Sequence, residues 1–161
     1  PALFRLDSGR EQLVQINVLP NDLPTDRESL FYFNVQELPQ VDPDARNVLN
    51  IALRTRIKLF YRPSQLKEKP ETRLNELQWS AQQLDGAWQL VVDNPTPFHF
   101  TFARLEVNGE QLDAKAMAIP MGRQHFPLPA QTGNQDIALT FTIINDYGGL
   151  SAPTSQTVTR H

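Results

Sequence analysis

Short strand-like segments, several of them alternating apolar and polar residues with a period of two, recur between turn signals along almost the whole chain. "QLVQINVL" at 12–19 sets Leu13, Gln15, Asn17 and Leu19 against Val14, Ile16 and Val18. "SLFYFNVQEL" at 29–38 is rich in aromatic residues and stops at Pro39. "NVLNIALRTRIKLFYRP" at 47–63 puts Leu49, Ile51, Leu53, Thr55, Ile57 and Leu59 on one face, and Asn50, Arg54, Arg56 and Lys58 on the other. Further strands are expected at 3–6, 87–93, 98–107, 124–128 and 136–146, with "SQTVT" closing the series. Turn signals separate them: "DSGR" at 7–10, Asn108-Gly109 and "YGG" at 147–149. The charged stretch "SQLKEKPETRLNELQ" at 64–78 reads as a connection with one helical turn. A 3.6-residue period persists nowhere, so the expected class is all-β, of sandwich type, with a boundary near residues 61–64.

Composition narrows the function classes. In 161 residues, 40% are apolar and 20% charged, an ordinary globular balance. The net charge of −3 argues against a nucleic-acid partner, which calls for a broad basic field. There is no cysteine, so disulfides, thiolate metal sites and a thiol nucleophile are excluded. Thirteen prolines against seven glycines suit strands joined by rigid turns.

Catalytic and metal-binding patterns are missing. His99, His125 and His161 lack ligand spacing, and His99, alternating with Phe98 and Phe100, reads as a surface or packed histidine. No G-x-S-x-G, P-loop or H-E-x-x-H occurs, and the carboxylates of "NDLPTDRE" and "DPDAR" follow no calcium-loop register. The expectation is no enzyme, no cofactor and no metal. The basic face of the 47–63 strand stands out: Arg46, Arg54, Arg56, Lys58 and Arg62 lie close together. Such a face is either a solvated edge whose charges discourage aggregation or a track for an anion.

Four stretches in order, "DRESLFYFNVQELP" (26–39), "NVLNIALRTRIKLFYRP" (47–63), "VDNPTPFHF" (92–100) and "INDYGG" (144–149), resemble the signatures of PapD-like periplasmic pilus chaperones. The resemblance implies two immunoglobulin-like sandwich domains set in a boomerang, here 1–60 and 61–161, and a periplasmic location. It also implies a function without catalysis: holding pilus subunits by donor-strand complementation and passing them to an outer-membrane usher. Strand addition is a recurrent mode of recognition, and chaperone–pilin pairs are among its known cases. Leu49, Ile51 and Leu53 match the alternating residues that fill a subunit's open groove. Lys58 matches the cleft lysine that binds the subunit's terminal carboxylate. Glu28, Arg62 and Asp146 match a salt-bridge network between the domains. The short "QVDPDAR" connection at 40–46 resembles the subfamily with a short loop before the donor strand. The rival reading is an immunoglobulin-like adhesion or structural module that self-associates through the same strand, and a self-capping dimer of the free protein is a related expectation.

The chain departs from the family pattern in two places. Gln15 stands where many relatives carry a basic residue. The first strands of the family's first domain, with the arginine that partners the cleft lysine, have no counterpart here. Residues 1–60 supply about four strands, whereas an immunoglobulin-like sandwich needs about seven. The expectation is therefore that the working protein contains strands beyond this chain, or borrows them from a neighbour.

Overall fold

The computed structural model describes residues 3–39, 49–113, 117–129, 132 and 136–159. Among these residues ten strands appear: β1 (Ser29–Gln36), β2 (Arg54–Tyr61), β3 (Gln78–Leu84), β4 (Ala87–Asn94), β5 (Phe100–Val107), β6 (Glu110–Gln111), β7 (Met117–Ala118), β8 (Gly122–Pro127), β9 (Ile137–Ile143) and β10 (Thr154–Val158). A short 3-10 helix, Pro70–Glu76, is the helical turn expected in the 64–78 connection.

From β3 onward the strands build a sandwich. One sheet runs β3-β4-β8; the other runs β10-β9-β5-β6, with β7 also on β5. Alternate residues of each sheet point inward: Ala81, Leu90, Val92 and Phe126 from the first meet Phe102, Leu105, Leu139 and Phe141 from the second. Trp79 packs against Phe102 and Phe141, with ring centroids 5.4 and 5.3 Å apart. Along β5 the buried set switches from Phe100 and Phe102 to Leu105 and Val107. A register shift between Phe102 and Arg104 makes this work, because one extra residue returns the odd positions to the core face.

Strand β3 was not among the elements expected from the pattern. Its inward positions, Trp79 and Ala81, sit among glutamines that blur the alternation. The better signal was its turn: Asp85 (φ 51°) and Gly86 (φ 81°) both occupy the left-handed region, as a two-residue hairpin of type I′ requires.

The N-terminal third is open. Strands β1 and β2 form an antiparallel pair from Ser29↔Tyr61 to Gln36↔Arg54, with no third strand among the described residues. The strands expected at 3–6 and 12–19 do not form, and Leu13, Val14, Ile16 and Val18 are exposed. No ladder reaches these segments, and an unpaired strand cannot satisfy its backbone groups. The strand expected over 47–63 is also shorter. It begins at Arg54, and its last ladder contact is Glu37 N–H donating to Leu53 O at 2.8 Å. Beyond that contact, residues 49–52 have no ladder partner among the described residues. The 40–46 connection lies outside the described residues.

Candidate functional site: a charged cleft at the end of the hairpin

The ladder of the hairpin positions the first two site residues. Ser29 pairs with Tyr61, so the next pair outward sets Glu28 opposite Arg62. Arg62 Nε donates to Glu28 Oε1 at 2.8 Å, while Nη1 and Nη2 donate to the two carboxylate oxygens of Asp146 at 2.7 Å each. The planar fork of arginine suits this double engagement. Asp146 sits on the loop after β9. There Asn145 Oδ1 accepts the backbone N–H groups of Tyr147 and Gly149, and Gly148 takes φ 77°. The structure thus brings Glu28, Arg62 and Asp146 into one cluster.

Glu28 is 4% exposed, unusual for a carboxylate. Its second oxygen, Oε2, accepts the His99 backbone N–H at 2.7 Å and His99 Nδ1–H at 3.2 Å, and its own N–H donates to Pro97 O at 2.9 Å. Burial pushes the Glu28 carboxyl up, but the donors of His99 and Arg62 outweigh it and hold the group below its ordinary 4.5. The chelating hydrogen bonds of Arg62 likewise lower Asp146 below 3.8, and those from Asp146 first, then Glu28, raise Arg62.

Asn94 explains why the 96–99 segment faces Glu28. Its buried amide donates to Phe98 O (2.7 Å) and Ile119 O (2.8 Å), and its oxygen accepts from Thr96 N (3.0 Å) and Thr96 Oγ1 (2.7 Å). The two prolines of "NPTPF" carry no backbone N–H and fix φ, which suits this tight turn. Asn94, Thr96 and the His99 contact with Glu28 were missed from the sequence. Their spacing signals a turn, and only the fold shows what it is turned toward.

A cleft of about 760 Å³ opens where the hairpin meets the sandwich, with Lys58, Phe60, His99, Thr101 and Ile144 among its lining residues. Phe60 packs on the His99 ring, centroids 5.1 Å apart. Lys58 Nζ donates to Thr101 Oγ1 at 3.2 Å and has no carboxylate partner among the described residues. Burial lowers the Lys58 ammonium below its usual 10.5. A partly desolvated cation holding only a hydroxyl retains two donors for an incoming anion.

Leu49, Ile51 and Leu53 lie away from the cleft, 82%, 62% and 66% exposed. With Ile57, Phe31 and Val35, which are also exposed, they leave the apolar face of the hairpin uncovered.

Comparison with known proteins places this geometry. Residues 1–67 match the family model described as pili and flagellar-assembly chaperone, PapD N-terminal domain, and residues 72–155 match pili assembly chaperone PapD, C-terminal domain. The chain belongs to the PapD family of pilus assembly chaperones. Chaperone protein LpfB of Salmonella typhimurium is 39% identical over 150 residues, covering 92% of this chain and 63% of that protein. Chaperone protein PapD of Escherichia coli is 36% identical over 155 residues, covering 92% of this chain and 61% of that protein. Among solved structures, the Salmonella enterica SafA pilin in complex with the SafB chaperone aligns with TM-score 0.72 and 29% identity, covering 86% of this chain and 64% of that chain. The E. coli chaperone DraB aligns with TM-score 0.69 and 29% identity, covering 87% and 63%. The chain therefore spans somewhat less than two thirds of the relatives it matches.

Proposed function

We propose that this chain carries the subunit-holding part of a periplasmic pilus chaperone. It caps subunits by donor-strand complementation and delivers them to an outer-membrane usher, without catalysing a reaction. The observation that carries this reading is an uncovered alternation, Leu49, Ile51 and Leu53, running into a strand whose far end presents Lys58 to a cleft. The occurrence of a chaperone–pilin complex among the aligned structures supports a pilin as the client. In this reading residues 1–60 belong to a first immunoglobulin-like domain and 61–161 to a second. Leu49, Ile51 and Leu53 enter the client's groove, each contributing about 1.5–3 kcal/mol by burial before ordering costs. Lys58 receives the client's terminal carboxylate, and Glu28, Arg62 and Asp146 hold the two domains together across the cleft. When no client is present, the same open strand is available for a self-capping dimer.

The test is Ile51→Asp, which places a charge where the groove requires an apolar side chain. Pilin should no longer copurify from periplasm with the variant, while the sandwich stays folded. Pilin recovery equal to that of the unmodified protein would overturn the donor-strand reading.

A further inference from the structure

We propose that the open edge of β2 also selects clients by charge. Arg54 and Arg56 favour a strand with acidic side chains two and four residues before its terminal carboxylate. This rests on the strand-addition reading above and adds a specificity to it.

The backbone determines which residues a client strand meets. Glu37 N–H bonds Leu53 O, which makes Glu37 and Leu53 a hydrogen-bonded pair of the ladder. Such pairs alternate with non-bonded ones, so Leu53, Thr55, Ile57 and Leu59 turn their backbone groups toward β1. Arg54, Arg56, Lys58 and Phe60 turn theirs toward the open edge. The residues available for a new ladder are therefore the ones that carry the cations. All three cations also share a face, opposite Gln36, Asn34 and Tyr32.

Arg54 and Arg56 are only lightly engaged among the described residues. The Arg56 guanidinium lies over the Tyr32 ring, 3.7 Å from its centroid, a cation–π contact that consumes none of its N–H donors. Arg54 makes only a long 3.4 Å contact to Asn34 Oδ1. Neither has an ion-pair partner among the described residues, and no Asp or Glu occurs between Leu49 and Lys67. In a chain of net charge −3, this is a local concentration of positive charge beside an edge that is unpaired among the described residues.

A client whose carboxylate reaches Lys58 must run in the same direction as β2, because the cleft lies at the C-terminal end of β2. Its residues two and four before the terminus then lie beside Arg56 and Arg54, one strand spacing of about 4.8 Å away. Opposite charges at that separation attract and like charges repel. The apolar residues between them fall on the other face.

The experiment measures binding of two synthetic peptides to the full chain by fluorescence anisotropy. Both carry the same apolar residues and a free C-terminus; one has Glu and the other Lys at the second and fourth positions before the end. At low salt the Glu peptide should bind about tenfold tighter, and the gap should narrow as salt is raised. Arg54→Gln with Arg56→Gln should equalise the two peptides, with circular dichroism confirming an unchanged fold. Equal binding of both peptides to the unmodified chain would overturn the charge selection and leave strand addition standing. Binding of neither would overturn both.

Discussion

Val92 and Ile57 are both β-branched residues in eight-residue strands. Yet Val92 is 0% exposed and Ile57 53%. In β4, Val92 faces an opposing sheet whose side chains fill the space above it. In β2, Ile57 faces no opposing sheet among the described residues. Period-two patterning specifies which side of a strand is apolar, but leaves open whether the matching surface lies in the same chain. In the sandwich the match is internal and the residues stabilise the fold. In the hairpin the apolar face is uncovered among the described residues, and in the proposed donor-strand reading its binding potential comes from that.

Truncation should separate the two regions most sharply. Phe141 is buried between Trp79 and Phe102, so Phe141→Ala should cost about 3–5 kcal/mol in urea unfolding. Ile57→Ala removes a half-exposed side chain and should stay within about 1 kcal/mol. Equal losses at the two positions would mean that the hairpin face is packed in solution, erasing the contrast.

Between these extremes stands the Glu28 cluster, where buried and exposed charge meet on one guanidinium. Arg62→Met strands the buried Glu28 carboxylate and should cost about 3 kcal/mol, the lower end for a broken buried pair because Arg62 is partly exposed. Asp146→Asn removes the exposed partner and should cost about 1 kcal/mol. Both carboxyls titrate below their ordinary values, 4.5 for Glu28 and 3.8 for Asp146, because the folded state binds their protons less tightly. Their contribution is thus complete above those values and lost as pH falls through the lowered ones. Urea titrations of wild type and Arg62→Met from pH 7 to pH 3 should show the stability gap narrowing only below about pH 4.5. A gap that is flat across that range would mean the cluster is not ionised as drawn.

Strands whose alternation meets a packed sheet were legible from the pattern. Strands β4 and β9 and most of β5 fall close to where Leu90, Val92, Leu139 and Phe141 place them. The 12–19 segment alternates as well, yet forms no strand, because propensity for a pleated surface does not supply a neighbour. The cleft itself was not legible. Glu28 and His99 are 71 residues apart, and Lys58 and Thr101 are 43 apart. No local period carries such pairings. Glu28, Arg62 and Asp146 were singled out by family resemblance, and the pairing of β1 with β2 supplies the physical reason that two of them meet.

The smallest effect on stability is expected at Lys58, and it should coincide with a large effect on binding. Burial depresses the Lys58 ammonium below 10.5, so its charge costs stability at every lower pH, and the cost fades only as pH rises through that range. Lys58→Met keeps the stem and removes the charge, so folding stability should change by no more than about 0.5 kcal/mol. Loss of a charge-assisted hydrogen bond, about 1.5–3 kcal/mol, should weaken binding of a client peptide about 10- to 150-fold. The loss should vanish for the same peptide with an amidated C-terminus, which carries no terminal charge to anchor. Weakening of both peptides alike would assign Lys58 to general shape in the cleft. A drop of several degrees in Tm with binding intact would make it a structural residue, tied to the sandwich through Thr101.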